Sequence, residues 1–499
     1  MKKRVFLVVY CLCSIWLFPQ ADFSISGKAK TTIRPSISAV IDPGTRVKLI
    51  KFYSMSTTPP KYGFLVECGG KRTTWDSANV KDIEYDPPTT NEELWQIIAV
   101  KSDLYTNFAS KGLQYDLRSD LEEETLSMLS NYQKYDWFFD DKYVEDYIQS
   151  LLYKVHAITL KDGRPGNLVV KIIKNSIPNA FSTPTGAIII TTGLLSTIRS
   201  EDELIGILAH ESAHFVLDHQ IVNINKANDR KKRAEFWASF ATTLAAATEV
   251  YLAAKKHIYT GGAVTLATAV LSTGIADSVL ENLGAKFDRG QEFEADAAAT
   301  KTLEFLKRDP KALSAALSRI QNYDTLTGNY LALSPSGDHP ALSSRIAEIG
   351  EIDPAQFNNK NYDQLISFVN TYNAEEEYRL KHLETTLQLV NRNLEAGVAT
   401  EEDYLLKGMV LRALYDTPDH NREALDFIVK ARSININPDC YPQIYKEEGI
   451  TLLRLGRKSD AVVAFQTYVQ KLDALKEKPQ YILDEIIWTR KMIYKANAN

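Results

Sequence analysis

His210-Glu211-Ser212-Ala213-His214 places two imidazoles four residues apart with a carboxylate beside the first. On a helix, side chains at i and i+4 share a face, so both rings can converge on one ion about 2 Å from their nitrogens. The glutamate next to the first histidine is then within reach of a metal-bound water, where it can act as a general base. This is the protein half of a hydrolytic zinc site, and it is short of one ligand. Gln291-Glu292-Phe293-Glu294-Ala295-Asp296 offers that ligand. Glu292 and Asp296 fall one turn apart on the same helical face, so the first can bind metal while the second hydrogen-bonds a ligand imidazole; Glu294 points roughly the opposite way. The expectation is one zinc per chain, held by His210, His214 and Glu292, with Asp296 orienting a ligand and Glu211 as the base.

The helix that must carry the first motif is legible independently of it. Ser200-Glu201-Asp202-Glu203 fits a capping box, with acids in the first turn and a glutamate three residues after the serine. Leu204, Ile207, Leu208 and Phe215 then recur at helical spacing.

Other segments carry a resemblance. Asn179-Ala180-Phe181, Gly186 to Gly193, Leu194-Leu195, Glu203-Leu204, Arg289, His339-Pro340 and Arg345, taken with the two zinc motifs, resemble the HtpX and CAAX prenyl protease family of gluzincin metallopeptidases over about residues 140 to 350. Ser212-Ala213 in place of the commoner bulky-plus-glycine pair, and Asp288 before Arg289, depart from the pattern without removing a chemical group. The resemblance implies a zinc endopeptidase acting on protein or peptide substrates. It also brings His339 near the cleft, where an imidazole either latches the open metal position, hydrogen-bonds the oxyanion, or merely enters the helix that carries Arg345. Gly186 to Thr192, with β-branched Ile188, Ile189 and Ile190, is expected to be an edge strand, with substrate adding in extended form beside Gly186, Ala187, Ile188, Ile189 and Ile190. Relatives with a helical tail suggest envelope-protein quality control. The rival reading is an envelope chaperone or assembly adaptor whose protease site is latched or vestigial.

The surrounding chain sets the frame. At 499 residues it is too long for one core. A net charge of −5 and a pI near 6.0 give no nucleic-acid signal. Lys2-Lys3-Arg4 before an apolar run from Val5 to Phe18 reads as a signal peptide over residues 1–21 and predicts export; with the resemblance taken as bacterial, it implies the periplasm or cell envelope of a Gram-negative bacterium. Cys11 and Cys13 fall within it, so only Cys68 and Cys440 remain, with no spacing that argues for a disulfide.

Residues 26–85 read as short strands, Val47 to Tyr53, Gly63 to Cys68, Arg72 to Trp75 and Val80 to Tyr85, and resemble a small SH3-like barrel. The zinc metallopeptidase domain is expected over 92–350. Within it, 234–280 holds two apolar helices, Ala234 to Ala254 and Gly261 to Leu280, interrupted by Glu235, Glu249 and Asp277; they suit a soluble or interfacial hairpin covering the site, with peripheral membrane contact, better than one spanning a membrane. From 372 to 499 a helical repeat aligns Tyr404, Gly408 and Leu411 with Tyr445, Gly449 and Leu452, with Ala461 and Phe465 at tetratricopeptide offsets and Ala424 arriving late in the first copy. Stacked repeats of this kind present a concave face to a protein partner. The expected fold is thus multidomain α+β: a β module, a mainly helical zincin-type domain with a small sheet, and an all-α tail.

Overall fold

A computed structural model describes residues 21–36, 39–55, 61–105, 125–126, 129–130, 132–134, 136–156, 168–183, 185–219, 221–222, 287, 289–327, 342–435 and 441–498. The segment 1–20, the apolar stretch 234–280, His339 and Cys440 lie outside these residues. Among the described residues no helix is long and apolar enough to cross a membrane. The chain divides into two compact units, residues 1–117 with 156–166, and residues 118–155 with 167–499.

The first unit is built on a six-stranded sheet. Strands β1 (Ala21–Asp22), β2 (Ser26–Ala29), β5 (Arg46–Met55), β6 (Lys61–Cys68), β7 (Lys71–Trp75) and β8 (Ile83–Tyr85) run in the order β7-β6-β5-β2-β8, with β1 also on β5; β3 (Ile33–Ser36) and β4 (Ala39–Ile41) form a separate ladder. The expected strand from Val80 is only half a strand. Asp76 accepts the Asn79 N–H at 2.8 Å and starts a helical turn, α1 (Ser77–Lys81), so extended backbone begins only at Ile83. Helix α2 (Asn91–Lys101), capped by Thr90, was expected in the peptidase domain but belongs to the β unit. Its Ala99 and Val100, and Tyr105 beyond it, pack in one core with Phe23, Phe52, Phe64 and Trp75.

The second unit places a three-stranded sheet beside the helix that carries His210 and His214. After α3 (Lys142–Val155), strands β9 (Val170–Ile173), β10 (Ala180–Ser182) and β11 (Ile188–Thr191) form a sheet in the order β10-β11-β9, with β11 parallel to β9 and antiparallel to β10. The expected edge strand is therefore an inner one. Ile188, Ile189 and Ile190 are hydrogen-bonded on both sides and buried throughout, whereas Gly186 and Ala187 form the turn that returns β10 to β11. An unbroken β-branched run without polar alternation marks a strand covered on both faces. The outer edge of this sheet next to the helix that carries His210 and His214 belongs to β10. Gly186 has φ +88, a left-handed value that glycine adopts without strain.

Helices follow to the end of the chain. They are α4 (Thr192–Thr197), α5 (Glu201–Val216), α6 (Arg289–Phe305), α7 (Ala312–Thr327), α8 (Leu342–Ile349), α9 (Lys360–Leu365), α10 (Ser367–Arg379), α11 (Leu383–Ala396), α12 (Glu401–Leu414), α13 (Pro418–Ile434), α14 (Gln443–Arg454), α15 (Lys458–Asp473) and α16 (Gln480–Asn497). Helix α5 is not amphipathic. Every residue from Glu203 to Val216 is buried, under α3, α6, α7 and β10.

Two later hairpins, α12/α13 and α14/α15, share one device: a Cβ on Gly408 would come within 2.7 Å of Ile428, and one on Gly449 within 2.6 Å of Phe465. The glycines expected at equivalent positions of a repeat thus sit where two helices touch. The boundary expected at 372 is not a gap in packing. Helix α10 packs on α4, α11 on α7, and Asn373 Nδ2 donates to Ser196 Oγ at 2.6 Å.

Candidate functional site

Helix α5 starts where the sequence says it should. Ser200 Oγ accepts the Glu203 N–H at 3.1 Å, and the Glu203 carboxylate accepts from Ser200 Oγ at 3.0 Å and the Arg199 N–H at 2.7 Å. Glu203 is fully buried against Arg319, whose Nε donates to it at 2.6 Å.

Two turns on, His210 and His214 aim their Nε2 atoms at the same point, 3.0 Å apart. Helix α6 supplies the third group. Glu292 Oε2 is 3.6 Å from His210 Nε2, and its Oε1 is 3.7 Å from His214 Nε2. Among the described residues this trio is the one group of histidine, cysteine or acidic side chains close enough to hold a metal, with ligand atoms all within 4.8 Å.

The other ring nitrogens show that the donor set suits a cation. His210 Nδ1 lies 2.9 Å from Asp296 Oδ1 and His214 Nδ1 lies 2.8 Å from His219 Nδ1. A proton on each Nδ1, directed at those partners, leaves a lone pair at each Nε2, which is the tautomer that metal ligation needs. Two buried lone pairs facing each other beside a carboxylate repel unless a cation shares them, and two imidazole nitrogens with a carboxylate oxygen is a zinc-type donor set.

Arg345 on α8 closes the site from the other side. Its Nε and Nη2 grip Asp296 in a fork at 2.8 and 2.7 Å, while Nη1 lies 2.9 Å from Glu292 Oε2. Burial works against the Asp296 carboxylate, but Arg345 and His210 outweigh it and hold its pKa well below the usual range. Burial likewise drags the His214 pKa far down, reinforced by the positive groups around it.

Glu211, in the same pocket, accepts the Ser182 backbone N–H at 2.9 Å; burial, with Glu292 adding to it, pushes its pKa up to about 7. Ser182 ends β10, so the edge strand and the candidate base are joined directly.

The sequence around this site has counterparts elsewhere. The model of peptidase family M48 matches residues 140–353. A protease HtpX homolog from Methylibium petroleiphilum is 31% identical over 214 residues, covering 37% of this chain and 68% of the relative. The chain belongs to peptidase family M48.

It is HtpX-like within that family, whose members typically use zinc. A second HtpX homolog, from Campylobacter curvus, is 27% identical over 207 residues, covering 37% of this chain and 68% of the relative. The mitochondrial metalloendopeptidase OMA1 of Schizosaccharomyces pombe is 27% identical over 205 residues, which is 41% of this chain but only about half, 52%, of that relative.

The M48 domain therefore brings together His210, Glu211, His214, Glu292 and Asp296, keeps Ile188 to Ile190 on an inner strand with Gly186 and Ala187 in the turn before it, and does not include His339 among its described residues. Three contributors escaped sequence reasoning. Arg345 was visible only as part of a resemblance, with no role. His219 carried a signal that was available: of the eight histidines in the chain, three lie between 210 and 219. Phe287 stacks on the His214 ring at 3.6 Å, with 10° between the planes, and had no signal at all. Glu294, which helical geometry turns away from the ligands, still reaches this region through His219 Nε2 at 3.2 Å.

Proposed function

We propose that this M48 metallopeptidase is a zinc-dependent endopeptidase, with one zinc per chain held by His210, His214 and Glu292 and with Glu211 as general base. The observation that carries the reading is the meeting of two imidazole Nε2 atoms and the Glu292 carboxylate in a buried pocket that also contains Glu211, a carboxyl outside the ligand set. Bound zinc would supply Lewis acidity, lowering the pKa of water and polarising the scissile carbonyl. Glu211 takes the proton from the attacking water and returns it to the leaving amine, a role suited to a carboxyl whose pKa lies near neutrality. The Ser182 N–H steadies Glu211 in this task, and Arg345 with Asp296 fixes the His210 ring. A peptide pairing with the outer edge of β10 would arrive beside Glu211 with main-chain recognition and little sequence preference.

The same reading extends to the rest of the chain. Residues 1–21 act as a secretion signal, and the enzyme works on envelope proteins in the periplasm of a Gram-negative bacterium. The β unit is SH3-like. The α12–α15 hairpins are tetratricopeptide-like, supported by the matched close approaches at Gly408 and Gly449, and recruit a protein partner.

The decisive measurement is casein cleavage and zinc content for the mature protein and for Glu211→Gln. The variant should keep its zinc and lose on the order of 100- to 10,000-fold in activity. Wild-type cleavage rates in Glu211→Gln would sink the mechanism.

A further inference from the structure

His214 differs from its partner ligand in what stands behind it. His210 gives its Nδ1 proton straight to the Asp296 carboxylate at 2.9 Å. His214 Nδ1 meets instead a second imidazole, His219 Nδ1, at 2.8 Å, and His219 Nε2 then lies 3.2 Å from Glu294 Oε2. We propose that His219 is a positioning residue for the metal centre, an imidazole relay between His214 and Glu294 that selects which nitrogen of His214 faces the ion. The proposal rests on the zinc site described above.

The direction of the relay follows from donor and acceptor counting. His214 Nε2 faces His210 and Glu292, so it must present a lone pair and its proton must sit on Nδ1. That proton can be given only if His219 Nδ1 carries a lone pair. The remaining His219 proton is then on Nε2, where a carboxylate oxygen accepts it. Every hydrogen bond in the chain runs one way, toward Glu294. Phe287, stacked flat on the His214 ring, fixes the ring plane but cannot tell one edge from the other. A ring held in plane retains one freedom, the flip, and His219 is the group that decides it.

The backbone is arranged to bring His219 back to the site. Helix α5 ends at Val216, and Asp218 takes a left-handed φ of +56, a conformation aspartate tolerates better than most residues. The turn directs the next side chain toward His214, one turn of helix behind it. The His219 carbonyl accepts from Gln291 Nε2 at 3.3 Å, so the relay is tied to α6 on either side of Glu292, through residues 291 and 294. His219 is buried while the Glu294 side chain is 37% exposed, so the negative charge is kept at the rim and a ring alone touches the ligand.

Partners standing behind metal-bound histidines typically contribute about 10- to 100-fold to metal affinity. The test is zinc affinity of the full chain, measured by titrating stripped protein with zinc against a competing chelator. His219→Phe keeps the ring's bulk but offers no acceptor, and its affinity should fall by about 10- to 100-fold. His219→Asn, whose Oδ1 stands near the position of Nδ1, should recover most of that loss, and Glu294→Gln should lose less than His219→Phe. The visible spectrum of cobalt-loaded His219→Phe should differ from wild type, because the ligand ring has moved.

Wild-type zinc affinity in His219→Phe would overturn the relay. So would equal losses in the Phe and Asn variants accompanied by an equal drop in the melting temperature of the stripped proteins, which would make His219 a packing residue. If wild type itself takes up no zinc, the metal centre falls and the relay falls with it.

Discussion

The two ends of helix α5 are both crowded with charge, the C-terminal one buried and the N-terminal one half-exposed at Glu201 and Asp202, yet they serve opposite purposes. At the C-terminal end, His210 and His214 point lone pairs into a shared space with Glu292. At the N-terminal end every charge is answered within the protein. Arg308 meets Glu201 and Asp202 at 2.6 and 2.8 Å, Arg319 meets Glu203, and Arg199 and Arg392 converge on Asp363 at 2.7 and 2.5 Å. Arg392, carried by the C-terminal helices, also donates to the carbonyls of Ser196 and Ile198 just ahead of the helix. A saturated network serves position; a convergent, unsaturated one serves a ligand. Buried charge by itself therefore identifies neither, and counting the remaining lone pairs separates them.

The sharpest way to break this comparison is to mutate each end and measure both properties. His214→Ala should abolish zinc retention on gel filtration together with cleavage, while leaving the chelated protein's denaturant midpoint close to wild type. Asp363→Ala should do the reverse. It strands the buried Arg392, which costs about 3–5 kcal/mol in a denaturation experiment, and leaves zinc stoichiometry intact. Loss of zinc in Asp363→Ala at temperatures where the protein is folded would show that the two ends are one device.

Truncation gives a smaller effect that sharpens where the ends divide. A chain stopped after Ala396 retains Arg392 and Asn373 and should cleave a short peptide at close to the full-length rate. A chain stopped at Thr371 loses both contacts to the segment before α5 and should be less stable and cleave more slowly. The contacts of Asn373 and Arg392 with the segment before α5 are the reason for the difference. Equal peptide cleavage by the two truncations would show that these contacts do not support the chemistry.

The smallest effect concerns the stripped enzyme. A carboxyl raised from 4.5 to about 7 in the folded protein binds its proton more tightly there than when unfolded, so its contribution favours folding at low pH and is lost as pH rises between those values. Glu211→Gln removes this dependence. In chelator, the melting temperature of the variant should therefore gain on wild type between pH 5 and pH 8, by a few degrees. A constant difference across that range would mean that the Glu211 proton is not linked to folding.

Residue type and spacing were enough to locate HExxH, the second acidic motif and the capped helix between Ser200 and Val216, because those signals are local: a four-residue step aligns side chains on any helix. Gly408 and Gly449 in the tail were legible as small residues that let two helices approach, and both sit at such contacts. The edge of the sheet was not legible. A run of isoleucines records that a strand is covered but not which neighbours flank it, and here the edge fell to the three residues Ala180–Ser182. The partners of the ligands were equally hidden. Arg345 lies 49 residues from Asp296, Glu294 lies 75 from His219, and nothing in either segment announces the other. Local spacing was enough to pick out the groups able to bind zinc and perform general-base chemistry. How each imidazole is oriented, which strand flanks the base and what anchors the helix came only from the folded chain, because those depend on side chains meeting across distances that no local periodicity encodes.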